Sequence, residues 1–190
     1  QVVDVRDGEI LFGLNMVVHK GKTIFVGDTS VHEYPTSEQM AEIAISTARV
    51  VRLFGFDPKV AFVSHSTFGQ PLTSRTKHIR KAVDILKEKN VDFEFDGDMQ
   101  PDVALNSEYE ELYPFSRIVG KANILIMPGQ HSAAISYKMM KTLGDTKVIG
   151  PLLIGLGLPI EIAPLRSSTS ELINLASIAA YSADVIDYKK

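Results

Sequence analysis

The chain has 190 residues, 45% hydrophobic and 23% charged, with a formal net charge of −3 and no cysteine. That balance excludes a disordered chain, and a chain this long buries roughly 70% of its unfolded surface, enough for a core without staples. The absent cysteines exclude disulfide frameworks, thiolate metal sites and cysteine nucleophiles, and the slight acidity argues against a nucleic-acid platform.

The longest weakly charged stretch, Val148 to Leu165, carries Gly150, Pro151, Gly155, Gly157, Pro159, Pro164 and the charged Glu161. A spanning helix needs about 20 apolar residues with few breakers, so no membrane segment is expected. The chain opens on Gln1 rather than methionine, with no secretory leader pattern, and the simplest reading is a fragment of a longer cytoplasmic protein.

From the N-terminus, Ile10 to Val18 is rich in β-branched and large apolar residues. Lys20-Gly21-Lys22 marks a turn and Thr23 to Val26 a return strand, which predicts a hairpin. Thr36 and Gln39 fit a capping box, followed by Met40, Ile43, Ala44, Thr47, Val51 and Phe54 at helical spacing, with Gly55 as the stop. Lys59 to Ser64 reads as a strand, Arg75 to Asn90 as a helix facing inward through Ile79, Ala82, Val83 and Leu86, and Asp92 to Asp96 as a strand. A short helix is expected within Asn106 to Tyr113, and a buried strand over Ala122 to Met127. A third long helix follows over His131 to Leu143, closed by Gly144. Val148 to Ile154 reads as another strand and Pro159 to Ile162 as a further one. Ser168 and Glu171 form a second capping box, opening a last helix from Ser170 to Ile186.

Strands alternate with helices from Lys59 onward. This is the pattern of βαβ units, and it predicts a three-layer αβα fold with a mostly parallel sheet. Ligands of such sheets bind beyond the C-terminal strand ends, here the loops at residues 64–74, 96–102, 127–131 and 154–158.

Each candidate for chemistry has a plainer reading beside it. Ser64-His65-Ser66-Thr67-Phe68-Gly69 offers small hydroxyls and a glycine to an anion, or simply turns a strand into a helix. Arg75, Lys77, His78, Arg80 and Lys81 could face a phosphate, but read first as the solvated side of a helix. His65 sits between two serines without a GxSxG elbow, which leaves little for a serine hydrolase. The five histidines form no zinc spacing, and Gly150 to Gly157 matches neither a phosphate loop nor a dinucleotide fingerprint. Asp96, Asp98 and Asp102 suit a strand-end turn better than a metal. No metal site is assigned.

Several strings together resemble one family. Phe95-Asp96-Gly97-Asp98-Met99-Gln100-Pro101-Asp102-Val103-Ala104-Leu105 resembles the VDGE(M/L)QxDAAL segment of phosphotransacetylases, the phosphate acetyl/butyryl transferase family. Phe25-Val26-Gly27-Asp28-Thr29-Ser30-Val31 is similar to its FxADTxV, and Pro35 to Ala44 to its PTxEELAEIA. Val63 to Gly69 resembles LSxSxxGS, and Ile149 to Leu156 resembles IGPxLxGL. Within the group, Pro114-Phe115-Ser116-Arg117 before Gly120 and Ile173-Asn174-Leu175-Ala176 look most like the C-terminal phosphotransacetylase-like domain of the long bacterial NADP-dependent malic enzymes.

The resemblance implies a fold of the isocitrate/isopropylmalate dehydrogenase type. Residues 1–156 would form the second subdomain, and 157–190 a segment packing on a first subdomain that lies upstream. An active member moves an acyl group between CoA and phosphate using an LSRGCSxxDI motif. There the serine stabilises the tetrahedral intermediate, the arginine holds an oxygen and the aspartate takes the thiol proton. Pro164-Leu165-Arg166-Ser167-Ser168-Thr169-Ser170-Glu171-Leu172-Ile173 stands in its place here, so only Arg166 of the three matches. A further family arginine is replaced by Thr142. Leucine neither donates a hydrogen bond nor accepts a proton. Losing a general base costs about 10²–10⁴ in rate and losing an oxyanion donor about 10²–10³, so no catalytic residue is assigned.

What is left is binding. Ser66, Thr67, Gly69, Gln130, Ser132 and Arg166 are the candidate ligand residues, for acetyl-CoA or a phosphate-type anion. The expectation is a non-catalytic regulatory domain that supports a homo-oligomer, with NADP and a divalent metal confined to the upstream region. An active acyltransferase that uses Ser167, Ser168 or Glu171, and a purely structural dimerisation module, are the alternatives.

Overall fold

The computed structural model describes residues 3–185. Its elements in chain order are β1 (Phe12–His19), β2 (Lys22–Gly27), α1 (Ser37–Leu53), β3 (Lys59–Val63), α2 (Ser74–Glu88), β4 (Glu94–Met99), α3 (Pro101–Leu105), β5 (Ile124–Ile126), α4 (Gln130–Leu143), β6 (Thr146–Ile154) and α5 (Thr169–Val185). One six-stranded sheet runs in the order β4-β3-β5-β2-β1-β6. β3 is parallel to β4 and β5, and β2 is parallel to β5. β1 is antiparallel to both β2 and β6, so it alone runs against the rest.

The hairpin follows from its turn. Lys20 and Gly21 both take positive φ, 48° and 75°, and His19 pairs with Lys22 across a two-residue loop whose twist matches its strands. Side chains alternate across the sheet with the period of a strand. On one face Phe25, Phe62, Ile124 and Ile126 pack with Ile43 and Val51 of α1, Val83 and Leu86 of α2 and Leu175 of α5. On the other, Val26, Ala61, Leu125 and Met127 pack with Ala104 of α3 and Ala133 of α4. Helices thus cover both faces, and the central strands are apolar on both sides for that reason.

Helix starts are set by short-range chemistry. Thr36 and Gln39 form the expected capping box on α1, and Ser168 and Glu171 exchange the same reciprocal bonds at α5. α2 starts at a third box, Thr73 with Thr76, whose N3 threonine departs from the usual Glu or Gln. All the α1 positions predicted to face inward are buried except Phe54, which is partly buried and lies against Phe25 at 5.9 Å between ring centroids.

Some elements differ from expectation. β4 continues through Asp96 to Met99 instead of stopping, because both aspartates find hydrogen-bond donors, Asp96 the N–H groups of Gly97 and Arg117 and Asp98 the Ser66 hydroxyl. Pro101 then opens α3 at its first turn, where a missing N–H costs nothing. The helix expected within 106–113 is a single 3₁₀ turn over Ser107–Tyr109. The strand expected over Pro159 to Ile162 is reduced to one bridge, Leu152 to Glu161. Ile186, the expected end of the last helix, lies outside the described residues.

Candidate functional site

The C-terminal ends of β2, β3, β4 and β5 lie along one edge of the sheet, and the loops that follow hold most of the predicted ligand residues. At the β3 tip the chain folds against β4. Ser64 donates its N–H to the Met99 carbonyl at 2.9 Å, and Phe68 donates to the Asp98 carbonyl at 2.7 Å. The Ser66 hydroxyl donates to Asp98 Oδ2, and both residues are fully buried. Thr67 Oγ1 accepts the Gln100 N–H at 3.2 Å, while the Gln100 side-chain amide donates to the His65 carbonyl at 2.9 Å. Gly69 takes φ +84°, and the space beside its Cα is filled by Arg80.

Ser66, Thr67 and Gly69 therefore come together, but as a fastening between two strand tips. The nucleophile-and-base reading of this loop finds little geometry. Ser64 Oγ lies 3.5 Å from His65 Nδ1 and also accepts the Ser66 N–H.

Gln130 and Ser132 join a different loop. Gln130 donates its backbone N–H to the His32 carbonyl at 3.0 Å and its side-chain amide to the Ser30 carbonyl at 3.3 Å. Ser132 Oγ donates to the Gly129 carbonyl in the first turn of its own helix. The centre of that loop is a residue the sequence reading passed over as chemistry. Asp28, 1% exposed, accepts N–H bonds from Gly13, Ser30 and Val31 on Oδ1 and from His32 on Oδ2. His32 Nδ1 lies 2.7 Å from the same Oδ2. An aspartate at a strand end, ahead of small polar residues, was the available signal, since such side chains gather the following backbone N–H groups.

Arg166 stands apart from both groups. It is exposed on the connection between β6 and α5, and no hydrogen bond or ion pair reaches it among the described residues. Leu165 beside it is fully exposed, and Leu172 is 46% exposed on the first turns of α5. Glu171, the nearest carboxylate in sequence, is bridged to Lys141 at 2.9 Å and accepts from the Ser168 N–H and hydroxyl. Those contacts, Lys141 first, hold its carboxyl down at about 2.

A second carboxylate was not anticipated. Glu161 borders a cavity of about 390 Å³ walled by α1, α5 and the end of β6. Burial pushes its carboxyl up to about 7, against the opposing pull of the Leu153 N–H. Its Oε2 has no partner among the described residues.

The basic cluster on α2 is largely a solvated face, as its pattern predicts. Lys81 pairs with Glu38 at 2.6 Å, and His78 is tied to Ser37 and the Pro35 carbonyl. No group of three metal-ligating side chains occurs among the described residues, and no helix there is long and apolar enough to cross a membrane.

Against this geometry stand the similarities to known proteins. The family described as Phosphate acetyl/butaryl transferase matches residues 1–180. A NADP-dependent malic enzyme of Rhizobium meliloti (strain 1021) is 47% identical over 95% of this chain and 24% of its own length. A phosphate acetyltransferase of Bacillus subtilis (strain 168) is 32% identical over 96% of this chain and 57% of its own. The chain thus spans about a quarter of the malic enzyme it matches. Among solved structures, a phosphotransacetylase from Streptococcus pyogenes superposes with a TM-score of 0.90 at 31% identity, over 97% of this chain and 57% of that one.

Proposed function

The chain belongs to the phosphate acetyl/butaryl transferase family, and from that premise we propose that it is a non-catalytic domain of a malic enzyme, binding acetyl-CoA as a regulator and supporting a homo-oligomer. One observation carries the reading: Leu165 and Leu172 occupy the positions where an acyl-transfer site needs a hydroxyl and a carboxylate. Both are exposed, so neither is there to fill a core.

Glu171 is a poor replacement. A base that takes a thiol proton works best with a pKa near the operating pH, whereas this carboxyl is held at about 2 with its oxygens engaged by Lys141 and Ser168. Arg166 keeps the cation that would hold an anion, and its freedom from other partners among the described residues supports that role. The parent reading draws on the 47% identity to a malic enzyme. It makes the whole protein a cytoplasmic oxidoreductase, with NADP and a divalent metal held upstream of this chain.

The same proposal assigns the fold to the isocitrate/isopropylmalate dehydrogenase type, with residues 157–190 packing on a first subdomain. The apolar side chains that the first turns of α5 leave exposed, Leu172 and Ile173, support that packing. Regulation then requires acetyl-CoA to bind one state of the whole enzyme better than another.

Calorimetry with acetyl-CoA on the full-length protein, paired with the malic enzyme rate, tests the reading. Saturable heat and a changed rate are expected, along with CoA release from acetyl-CoA and phosphate at least about 10² below that of an active family member. Absence of both heat and rate change overturns the regulatory role. Brisk CoA release overturns the non-catalytic one.

A further inference from the structure

The basic cluster contains one member that the solvated-face reading does not absorb. Lys81 and His78 have partners, whereas Arg75, Lys77 and Arg80 have neither a hydrogen bond nor an ion pair among the described residues, and of these three only Arg75 lies over an aromatic ring. Its guanidinium instead rests 5.4 Å from the centroid of the Tyr34 ring. Tyr34 is 65% exposed, so its ring is open to solvent. Both side chains line a cavity of about 410 Å³, with Pro35, Ile79 and Pro128 as apolar walls and Ser74 on its rim. That size lies within the roughly 300–1,000 Å³ of small-ligand sites.

The chemistry of the walls is selective. A tyrosine face and two proline rings accept a flat, apolar-faced group, and stacking on an aromatic ring is sequence-tolerant and strong for bases. A guanidinium without a counter-ion favours a phosphate, which it meets through two parallel N–H donors. The flanking acids do not compete for it. Glu38 is bridged to Lys81, and Glu33 lies against His131 at 3.3 Å. His78 is a wall and not a ligand, because Nε2 donates to the Pro35 carbonyl at 2.9 Å and Nδ1 faces Ser37 Oγ at 3.0 Å.

We propose that this cavity binds a nucleoside phosphate, its base stacked against Tyr34 and its phosphate held by Arg75. The inference stands on Tyr34, Arg75 and the cavity, and does not depend on the acetyl-CoA reading. Two sources share the ligand chemistry: a free nucleotide, and the adenosine phosphate end of an acyl-CoA.

The test is calorimetry on the full-length protein with AMP, adenosine and inorganic phosphate as separate probes. Saturable AMP binding is expected, with adenosine and phosphate each at least about tenfold weaker. R75Q and Y34L each weaken AMP about tenfold or more while leaving the melting temperature unchanged, because both side chains are exposed. Displacement of AMP by acetyl-CoA names the CoA end as the occupant, and no displacement names the free nucleotide; either result upholds the site. AMP that does not bind, or that binds both variants as it does the native protein, overturns the proposal. AMP binding without any acetyl-CoA response upholds this site while removing the regulatory reading, and the converse result removes only this site.

Discussion

The loops at the tips of β2, β3 and β4 and the connection from β6 to α5 both carry family motifs, yet they treat their polar groups in opposite ways. At the tips, Asp28 collects backbone N–H groups from β1 and from its own following loop, and Ser66 and Asp98 close on each other out of reach of water. On the connection, Leu165 and Arg166 stand in solvent. The contrast separates two jobs that a motif search merges. A serine or aspartate at a strand end can hold the backbone in place, and the residues free to meet a ligand are those that nothing else holds.

Substitutions at the two regions should therefore diverge. The largest effect is expected at Asp28. Asp28→Ala removes the acceptor of four backbone N–H groups, and each buried donor left unsatisfied costs about 1–3 kcal/mol. Urea unfolding should show a loss of about 3–5 kcal/mol, the range of the named severe mechanisms. A loss under 1 kcal/mol would mean the loop is not held this way.

Ser66→Ala comes next. It leaves Asp98, whose Oδ1 already lacks a partner among the described residues, with neither oxygen satisfied. The expected loss is about 1–3 kcal/mol in the same assay. A variant of unchanged stability that loses anion binding would restore Ser66 as a ligand residue.

Glu161 sharpens the comparison through pH. Its folded carboxyl is raised from an ordinary 4.5 to about 7, so between these values the folded state holds a proton that the unfolded state has released. Stability is then highest below pH 4.5 on this account and falls as pH rises through about 7. Glu161→Gln should flatten that slope in unfolding curves taken from pH 5 to 8. Its gain at pH 8 is about 1 kcal/mol, once solvent screening of a partly exposed group is allowed for. A slope that survives the substitution assigns the titration elsewhere.

The smallest effect belongs to the exposed connection. Leu165→Ser and Arg166→Ala should each leave the unfolding free energy within about 0.5 kcal/mol of the native chain, as surface substitutions do. A larger loss for Leu165→Ser would show that the leucine is covered by another part of the protein.

Helix starts were legible from nearest neighbours. Thr36 with Gln39 and Ser168 with Glu171 are read three residues apart, and the bonds they form span the same three residues. β4 was misjudged for the opposite reason. Asp96-Gly97-Asp98 looks like a turn because carboxylates avoid the core, but Asp96 Oδ2 accepts the Arg117 N–H from twenty-one residues away, and Asp98 meets Ser66 from thirty-two. The site was half legible. The separate strand-end loops of Ser66 and Gln130 were legible, while the bonds that tie Ser66 to Asp98 and Gln130 to the Ser30 and His32 carbonyls had no local mark.

From the order of its residues, this chain determined its α/β class, its hairpin and the apolar stripes of its helices, because each depends on spacing or on the identity of one side chain. Tertiary structure decided which polar groups are closed off and which stay open. That outcome depends on whether a partner arrives from a distant strand, and a buried carboxylate is tolerated only when such partners are delivered.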